Sequence, residues 1–128
     1  MNNAILNPNS ITALEAIGPK LRVHRGAEPD ASAETHLLHA MGLKKTYRKG
    51  SLEVPVLKGV DFAAQKGQMT AIIGQSGSGK STLLHLLGTL DRPDEGEVYF
   101  DGARIDNVSR SKRDQLRNQD IGMIFQFY

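Results

Sequence analysis

Residues 74–81, with the sequence GQSGSGKS, have the types and spacing that suit binding of a polyphosphate. Glycine has no Cβ, so Gly74, Gly77 and Gly79 let the backbone take positive φ and curl closely around phosphate oxygens. The N–H groups of residues 77–82 then converge at the positive end of a following helix. The octapeptide matches the pattern G-x-x-x-x-G-K-[ST], and the sequence therefore predicts a phosphate-binding loop.

The last two residues of this pattern have side chains that can bind phosphate and a metal ion. Lys80 can reach the β- and γ-phosphates as a flexible point charge. The Ser81 hydroxyl can ligate Mg²⁺. The predicted binding set comprises Gly74, Gln75, Ser76, Gly77, Ser78, Gly79, Lys80, Ser81 and Thr82.

The elements on either side of the loop are those that such a loop needs. An apolar strand is predicted over Met69–Ile73, and its β-branched pair suits a buried central position. The following helix is too apolar for a surface helix, so we expect it to be buried against a sheet. Within that helix, we favour a structural role for His85 over a catalytic one. The leucines of the helix are Leu83, Leu84, Leu86, Leu87 and Leu90.

Two apolar-rich strands are predicted before the loop, at Leu37–Leu43 and Val54–Ala63, with a basic turn at Lys44–Ser51 between them. We favour a solvated turn over a cluster that attracts polyphosphate. Tyr47 lies in this turn, where an exposed aromatic ring can stack on a purine or pack on neighbouring residues. Its position alone leaves these two roles equal.

Turn and strand signals alternate after the helix. The breaker cluster at 91–96 precedes a predicted strand at Glu97–Asp101 and a hairpin turn at Asp101-Gly102. Either Ser109 or Ser111 can cap a short helix, and another strand is predicted at Ile121–Phe125. Carboxylates are dense here, but we favour turn chemistry over a metal cluster. These carboxylates belong to Asp91, Asp94, Glu95 and Asp101.

The first part of the chain differs from the rest in composition. Residues 1–36 are rich in breakers, and we expect them to be mostly disordered, while the folded part should cover residues 37–128. Ile11, Leu14 and Ile17 recur at helical spacing, which favours one transient helical turn. A docking helix for a partner is the alternative.

Composition limits the possible classes of protein. The 128 residues contain no cysteine, which excludes disulfides and thiol catalysis. A net charge of +2, from 16 basic and 14 acidic residues, gives little support to a nucleic-acid partner. No apolar run approaches the ~18 residues of a membrane span, and no secretory signal is recognisable. We therefore expect a cytoplasmic protein.

From Leu37 to Tyr128 the chain resembles the ATP-binding subunit of an ABC transporter. Tyr47 stands where that family has its adenine-stacking aromatic residue, and Gly74–Ser81 with Thr82 matches the Walker A loop. Gln126, at the end of IGMIFQ, matches the Q-loop glutamine, which helps to ligate Mg²⁺ and senses the transmembrane subunit. The resemblance implies ATP and Mg²⁺ as cofactors, with catalytic roles for Lys80 and Gln126. It also implies an α/β fold: a P-loop NTPase core with an antiparallel β portion, truncated before the family's helical subdomain.

Two stretches, STLLHLLGTLDRPDEGEVYFDG and LRNQDIGMIFQFY, resemble the lipoprotein-releasing and macrolide-exporter subgroup of that family. This finer resemblance implies an ATPase that powers lipoprotein release from the inner membrane. The implied partners are transmembrane permease subunits and a second ATP-binding subunit, with no nucleic acid. The protein would then lie on the cytoplasmic face of the membrane, bound through the permease.

The chain also departs from the family pattern. The Walker B strand, the LSGGQ signature, the D-loop and the switch histidine have no counterpart in these residues. We therefore expect the chain to bind nucleotide weakly at best and not to hydrolyse it. A small-molecule kinase and a non-catalytic nucleotide-binding module are the alternatives. Such kinases usually begin at the loop's strand, whereas two predicted strands and Tyr47 precede it here.

Overall fold

A computed structural model describes residues 36–67 and 69–125, together with the backbone of residues 11–17 and 20–24. Among these residues, no helix has the length and apolar character that crossing a membrane requires. In chain order the elements are β1 (Ile11–Ile17), β2 (Lys20–His24), β3 (Leu38–Lys49), β4 (Leu52–Ala64), β5 (Met69–Gly74), α1 (Lys80–Leu87), β6 (Glu95–Phe100), β7 (Ala103–Arg104) and α2 (Arg110–Gln119).

An antiparallel sheet with the order β4-β3-β6-β7 forms the larger β portion, which confirms that part of the predicted fold. The predicted turn at Lys44–Ser51 is wrong, because β3 continues to Lys49 and only Gly50 and Ser51 connect it to β4. Gly50 has a φ of 62°, which a tight hairpin turn requires. The basic residues lie in a strand because β3 pairs with β4 and β6, and cross-strand pairs of side chains stabilise the sheet even where they are polar.

The β6–β7 hairpin forms where the sequence predicts it. Asp101 and Gly102 both have positive φ, 47° and 76°, as a two-residue hairpin turn requires. At the start of β6, Gly96 has a φ of 95° and lies against the backbone of β3. A Cβ at Gly96 would lie 2.6 Å from the carbonyl oxygens of both Met41 and Gly42, so only glycine fits this crossing.

One side of α1 packs on the sheets and supplies a large part of the core. Leu83, Leu86 and Leu87 are buried together with core residues of β3, β4 and β6. The helix is thus buried against the sheets, as expected, but Leu84 is 47% exposed, and Leu90, which was expected in the helix, lies beyond its last residue Leu87. α1 contacts β3, β4 and β5, and the segment after α2 also approaches it, with the ring centroids of His85 and Phe125 6.5 Å apart.

A second sheet has the order β2-β1-β5, with β1 parallel to β5 from the pair Ile11 and Met69 to the pair Ala16 and Gly74. The structure thus has extended backbone where the spacing of Ile11, Leu14 and Ile17 favoured a helical turn. The pairing gives β5 a hydrogen-bonded neighbour that local spacing does not reveal, because such a ladder depends on residues far apart in sequence. The division of the chain at residue 36 remains a prediction.

The last described segment differs from its prediction, whereas the helix before it does not. Ser109 caps α2, as predicted, and its hydroxyl accepts a hydrogen bond from the backbone N–H of Lys112 at 3.2 Å. Ile121–Phe125 does not form the predicted strand, and Ile124 is 95% exposed. Apolar content alone does not make a strand, because a strand also needs a partner, and none of the described strands pairs with this segment.

Candidate functional site

The predicted phosphate loop connects the end of β5 to the start of α1. Gly74 is the last residue of β5, and the backbone N–H of Ser78 donates to the Gln75 carbonyl at 3.2 Å to close a turn. Gly77 and Gly79 have φ values of 78° and 95°, a region that L-residues rarely adopt. The positive φ expected from the glycine spacing is therefore present at Gly77 and Gly79, whereas Gly74 remains in the strand.

The N-terminal end of α1 has the features of an anion-binding position. Gly79 is the N-cap, and it provides no side-chain hydrogen bond to the first turn. That turn contains no acidic residue, so no side chain of the helix start neutralises the positive end of the helix dipole. Phosphate oxygens are the natural acceptors for N–H groups in such a position.

Lys80 carries the positive charge of the loop. Its Nζ donates to the carbonyl oxygens of Gly74 at 2.7 Å and Gln75 at 2.6 Å, and it lies 3.3 Å from the Ser78 hydroxyl. All three acceptors are neutral and belong to the loop itself. A phosphate oxygen would be a stronger acceptor, because a hydrogen bond between two charged groups is about twice as strong as a neutral one.

A cavity of about 550 Å³ opens beside the loop. This volume lies within the range of small-molecule sites, roughly 300–1,000 Å³. Six of the nine predicted loop residues line the cavity, together with Val56 of β4. The remaining three, Gly74, Gln75 and Ser78, contact the Lys80 ammonium instead. The lining loop residues are Ser76, Gly77, Gly79, Lys80, Ser81 and Thr82.

Val56 belongs to this site, although sequence reasoning does not predict it. A Cβ at Gly79 would lie 3.0 Å from Val56 Cγ1 and 2.9 Å from Leu57 Cδ2, so the loop packs directly on β4. Gly79 is thus required twice, for its positive φ and for this close approach. No local signal marks Val56, because the contact joins two segments that are distant in sequence.

Tyr47 lies on β3 next to the cavity but does not line it. It pairs with Val54 on β4, and Val56 is two residues further along the same strand. The register of β3 and β4 shifts between Lys45 and Thr46, so that Val56 has no paired residue on β3 and the hairpin is irregular between Tyr47 and the cavity. Tyr47 is 40% exposed, and its hydroxyl donates to Asp91 Oδ2 at 3.4 Å.

Ion pairs and hydrogen bonds join β3 to the segment that follows α1. Lys45 Nζ lies 3.0 Å from Asp91 Oδ2, and the backbone N–H of Thr46 donates to Asp94 Oδ2 at 2.6 Å. Burial raises the pKa of Asp91, but hydrogen bonds from Lys45 and the Arg92 amide outweigh it and leave that pKa below its usual value. These carboxylates thus pair with cations and amides of neighbouring segments.

The described residues contain no cluster of three or more histidine or carboxylate side chains that could hold a metal ion. Mg²⁺ at this loop would therefore need the Ser81 hydroxyl, phosphate oxygens and water as ligands. Mg²⁺ is commonly bound in this way, with several waters and substrate phosphates in its shell. Gln126, the other predicted Mg²⁺ ligand, lies outside the described residues.

Comparison with known protein families gives the family of this chain. The family model described as "ABC transporter" matches residues 57–128, which include β5, the loop, both helices and the predicted Gln126. The chain belongs to the ABC transporter family. The expected α/β P-loop core with an antiparallel β portion agrees with this family assignment.

Curated relatives of this ABC transporter chain include two ATP-binding proteins of lipoprotein-releasing systems. "Lipoprotein-releasing system ATP-binding protein LolD 2" of Rhodopirellula baltica is 61% identical over 92 residues, which are 72% of this chain and 36% of the relative. "Lipoprotein-releasing system ATP-binding protein LolD" of Xanthomonas oryzae is 48% identical over 94 residues, 73% of this chain and 38% of the relative. The chain thus spans little more than a third of the length of these relatives.

Solved structures of ABC cassettes share the fold. The dimeric structure of MJ0796, a bacterial ABC transporter cassette, superposes with a TM-score of 0.67 at 37% identity, covering 70% of this chain and 38% of the cassette. A post-hydrolysis state of the MJ0796 cassette bound to ADP and Pi has a TM-score of 0.66 at the same identity and coverage.

Proposed function

We propose that this chain contributes the phosphate-binding half of a nucleotide site to an ATP-hydrolysing ABC transporter subunit of the lipoprotein-releasing type. The observation that carries the proposal is the cavity at the α1 N-terminus, where a glycine loop, the Lys80 ammonium and the Ser81 hydroxyl meet. The names of the two curated relatives support the ATP ligand and the lipoprotein-releasing role.

In the proposed complex each loop residue has a distinct role. Lys80 and the backbone amides of residues 77–82 neutralise the triphosphate, while Ser81 binds Mg²⁺ together with Gln126. Tyr47 stacks on the adenine ring at the edge of the cavity. Hydrolysis is an in-line attack of water on the γ-phosphate, and the chain lowers the barrier mainly by positioning the phosphates and stabilising their charge.

The complete protein, in this proposal, acts with two kinds of partner. A second ATP-binding subunit would complete each nucleotide site, and the dimeric state of the MJ0796 cassette supports this arrangement. Transmembrane permease subunits would hold the protein at the cytoplasmic face of the inner membrane. Family membership disfavours the small-molecule kinase alternative.

Calorimetric titration of the 128-residue chain with ATP and Mg²⁺ tests the proposal. We expect saturable binding that weakens at least about tenfold in Lys80→Ala, since a hydrogen bond to a charged group contributes ~1.5–3 kcal/mol. Lys66→Ala is the matched control, because Lys66 is an exposed lysine outside the cavity. Equal affinities of the Lys80→Ala variant and the unaltered chain would contradict the proposed site.

Turnover provides a second test of the same proposal. We expect the 128-residue chain alone to release no phosphate from ATP above the background rate, since its residues include no counterpart of the family's catalytic glutamate. Steady ATP hydrolysis by the purified chain, abolished by Lys80→Ala, would show that the catalytic base lies among these residues.

A further inference from the structure

Lys45 is a charged residue in an unusually enclosed position beside Tyr47. Its side chain is only 12% exposed, whereas the neighbouring Lys44 side chain is 52% exposed. The Lys45 ammonium donates to the Arg92 carbonyl at 2.7 Å and lies 3.0 Å from Asp91 Oδ2. A lysine loses rotamer freedom when it is held in this way, so its orientation is fixed rather than averaged over solvent.

The same cluster contacts Tyr47 at two points. Lys45 Nζ lies over the Tyr47 ring, 5.5 Å from its centroid, a distance at which a cation is attracted to an aromatic face. The Tyr47 hydroxyl donates to Asp91 Oδ2, the oxygen that also pairs with Lys45. The ring is therefore held at one face and at its tip by two groups that also bind each other.

We propose that Lys45, anchored by Asp91, is a positioning residue that holds the Tyr47 ring so that its opposite face can stack on the purine base of the nucleotide. This inference rests on the proposed function and adds a residue to it. The ammonium occupies one face of the ring, so a base can use only the other. A ring whose orientation is already fixed loses less entropy when the base binds.

The positioning role of Lys45 is distinct from phosphate binding. Asp91 keeps its negative charge at neutral pH, since its pKa lies below the usual value, and can therefore pair with Lys45 there. Lys45 does not line the cavity beside the phosphate loop. A change at Lys45 should accordingly alter the contribution of the base to affinity and leave the contribution of the phosphates unchanged.

Paired titrations with ATP and with inorganic tripolyphosphate test this inference on the 128-residue chain. Lys45→Met keeps most of the side-chain length and removes the charge. We expect it to weaken ATP binding roughly two- to tenfold, because a ring that is no longer positioned must be ordered when the base binds, with tripolyphosphate affinity unchanged. Lys45→Arg, which retains the cation, should restore most of the loss. Lys44→Met is the matched control, because it removes a neighbouring lysine whose ammonium pairs with Glu95, while the ammonium over the Tyr47 ring belongs to Lys45.

A double variant tests whether Lys45 affects ATP affinity through Tyr47. In a Tyr47→Leu background, Lys45→Met should have no further effect on ATP affinity, because the ring it positions is gone. Should Lys45→Met lower the thermal midpoint too far for titration, Asp91→Asn weakens the same anchor and should produce the same ATP-selective loss.

The outcomes separate the two proposals. Equal weakening of ATP and tripolyphosphate by Lys45→Met, or unchanged ATP affinity, would overturn the positioning role while Lys80-dependent binding stands. If neither ligand binds the unaltered chain, or Lys80→Ala leaves both affinities unchanged, the proposed function fails, and this inference fails with it.

Discussion

The packing of the phosphate loop on β4 predicts that Gly79→Ala is far more damaging than Gly77→Ala. Both glycines have positive φ, 95° and 78°, so an alanine at either position is strained by ~1–2 kcal/mol. Only at Gly79 does the added methyl group meet neighbours, at 2.9 Å from Leu57 Cδ2 and 3.0 Å from Val56 Cγ1. At Gly77 no heavy atom of the described residues lies within 4 Å of that position.

The extra contact sets the size of the difference. Carbon atoms pack favourably at ~3.5–4.0 Å, so the Gly79 methyl group forces the Val56 and Leu57 side chains, or the loop itself, to move. Such overpacking costs ~1–3 kcal/mol in addition to the strain. We therefore expect Gly79→Ala to lower the free energy of unfolding by ~2–5 kcal/mol and Gly77→Ala by ~1–2 kcal/mol.

Urea unfolding of the two variants and of the unaltered chain, followed by circular dichroism, measures both values. Equal m-values would show that the differences in midpoint reflect stability alone. Equal destabilisation by the two alanines would refute the packing of the loop on β4. It would also remove the physical account of Val56 as part of the cavity.

Two further predictions concern the β portion. Gly96→Ala should lower the thermal midpoint more than Gly102→Ala does. Both glycines have positive φ, but only the methyl group at position 96 would meet backbone oxygens, at 2.6 Å. Equal thermal midpoints of the two variants in differential scanning calorimetry would contradict this. Asp106 accepts hydrogen bonds from the Val98 amide at 2.8 Å and from the Arg104 guanidinium. Burial raises its pKa, but these hydrogen bonds outweigh it and hold the pKa below the usual 3.8. A carboxyl group with a lowered folded-state pKa contributes stability above its unfolded pKa, and that contribution is lost as the pH falls through the folded pKa. Urea midpoints measured from pH 6 down to about pH 2 should therefore fall less steeply in Asp106→Asn than in the unaltered chain; identical slopes would contradict the role of Asp106.

The parts of the site that were predicted from sequence are those encoded locally. A phosphate loop needs glycines, a lysine and a serine at fixed spacing within eight residues, and the positive φ values at Gly77 and Gly79 agree with that pattern. The Asp101-Gly102 turn and the Ser109 cap are likewise properties of two to four consecutive residues. Each was predicted because the chemistry that forms it lies within a short segment.

The parts that sequence reasoning missed depend on contacts between distant segments. The basic stretch after Leu43 looked like a turn, because its composition is polar. It continues as β3 because its cross-strand partners on β4 and β6 include Glu95, whose carboxylate lies 2.7 Å from the Lys44 ammonium. Val56 was missed for the same reason, since only the fold brings it to the loop. The roles of Tyr47 and Gln126 came from the resemblance and remain predictions.

A crystal structure of the 128-residue chain with a non-hydrolysable ATP analogue and Mg²⁺ would show whether the loop binds the triphosphate. We expect the β- and γ-phosphates to lie within hydrogen-bonding distance of Lys80 Nζ and the backbone amides of residues 77–82, with the Ser81 hydroxyl on the metal ion. Phosphates bound elsewhere, or turned away from the N-terminal end of α1, would contradict this expectation.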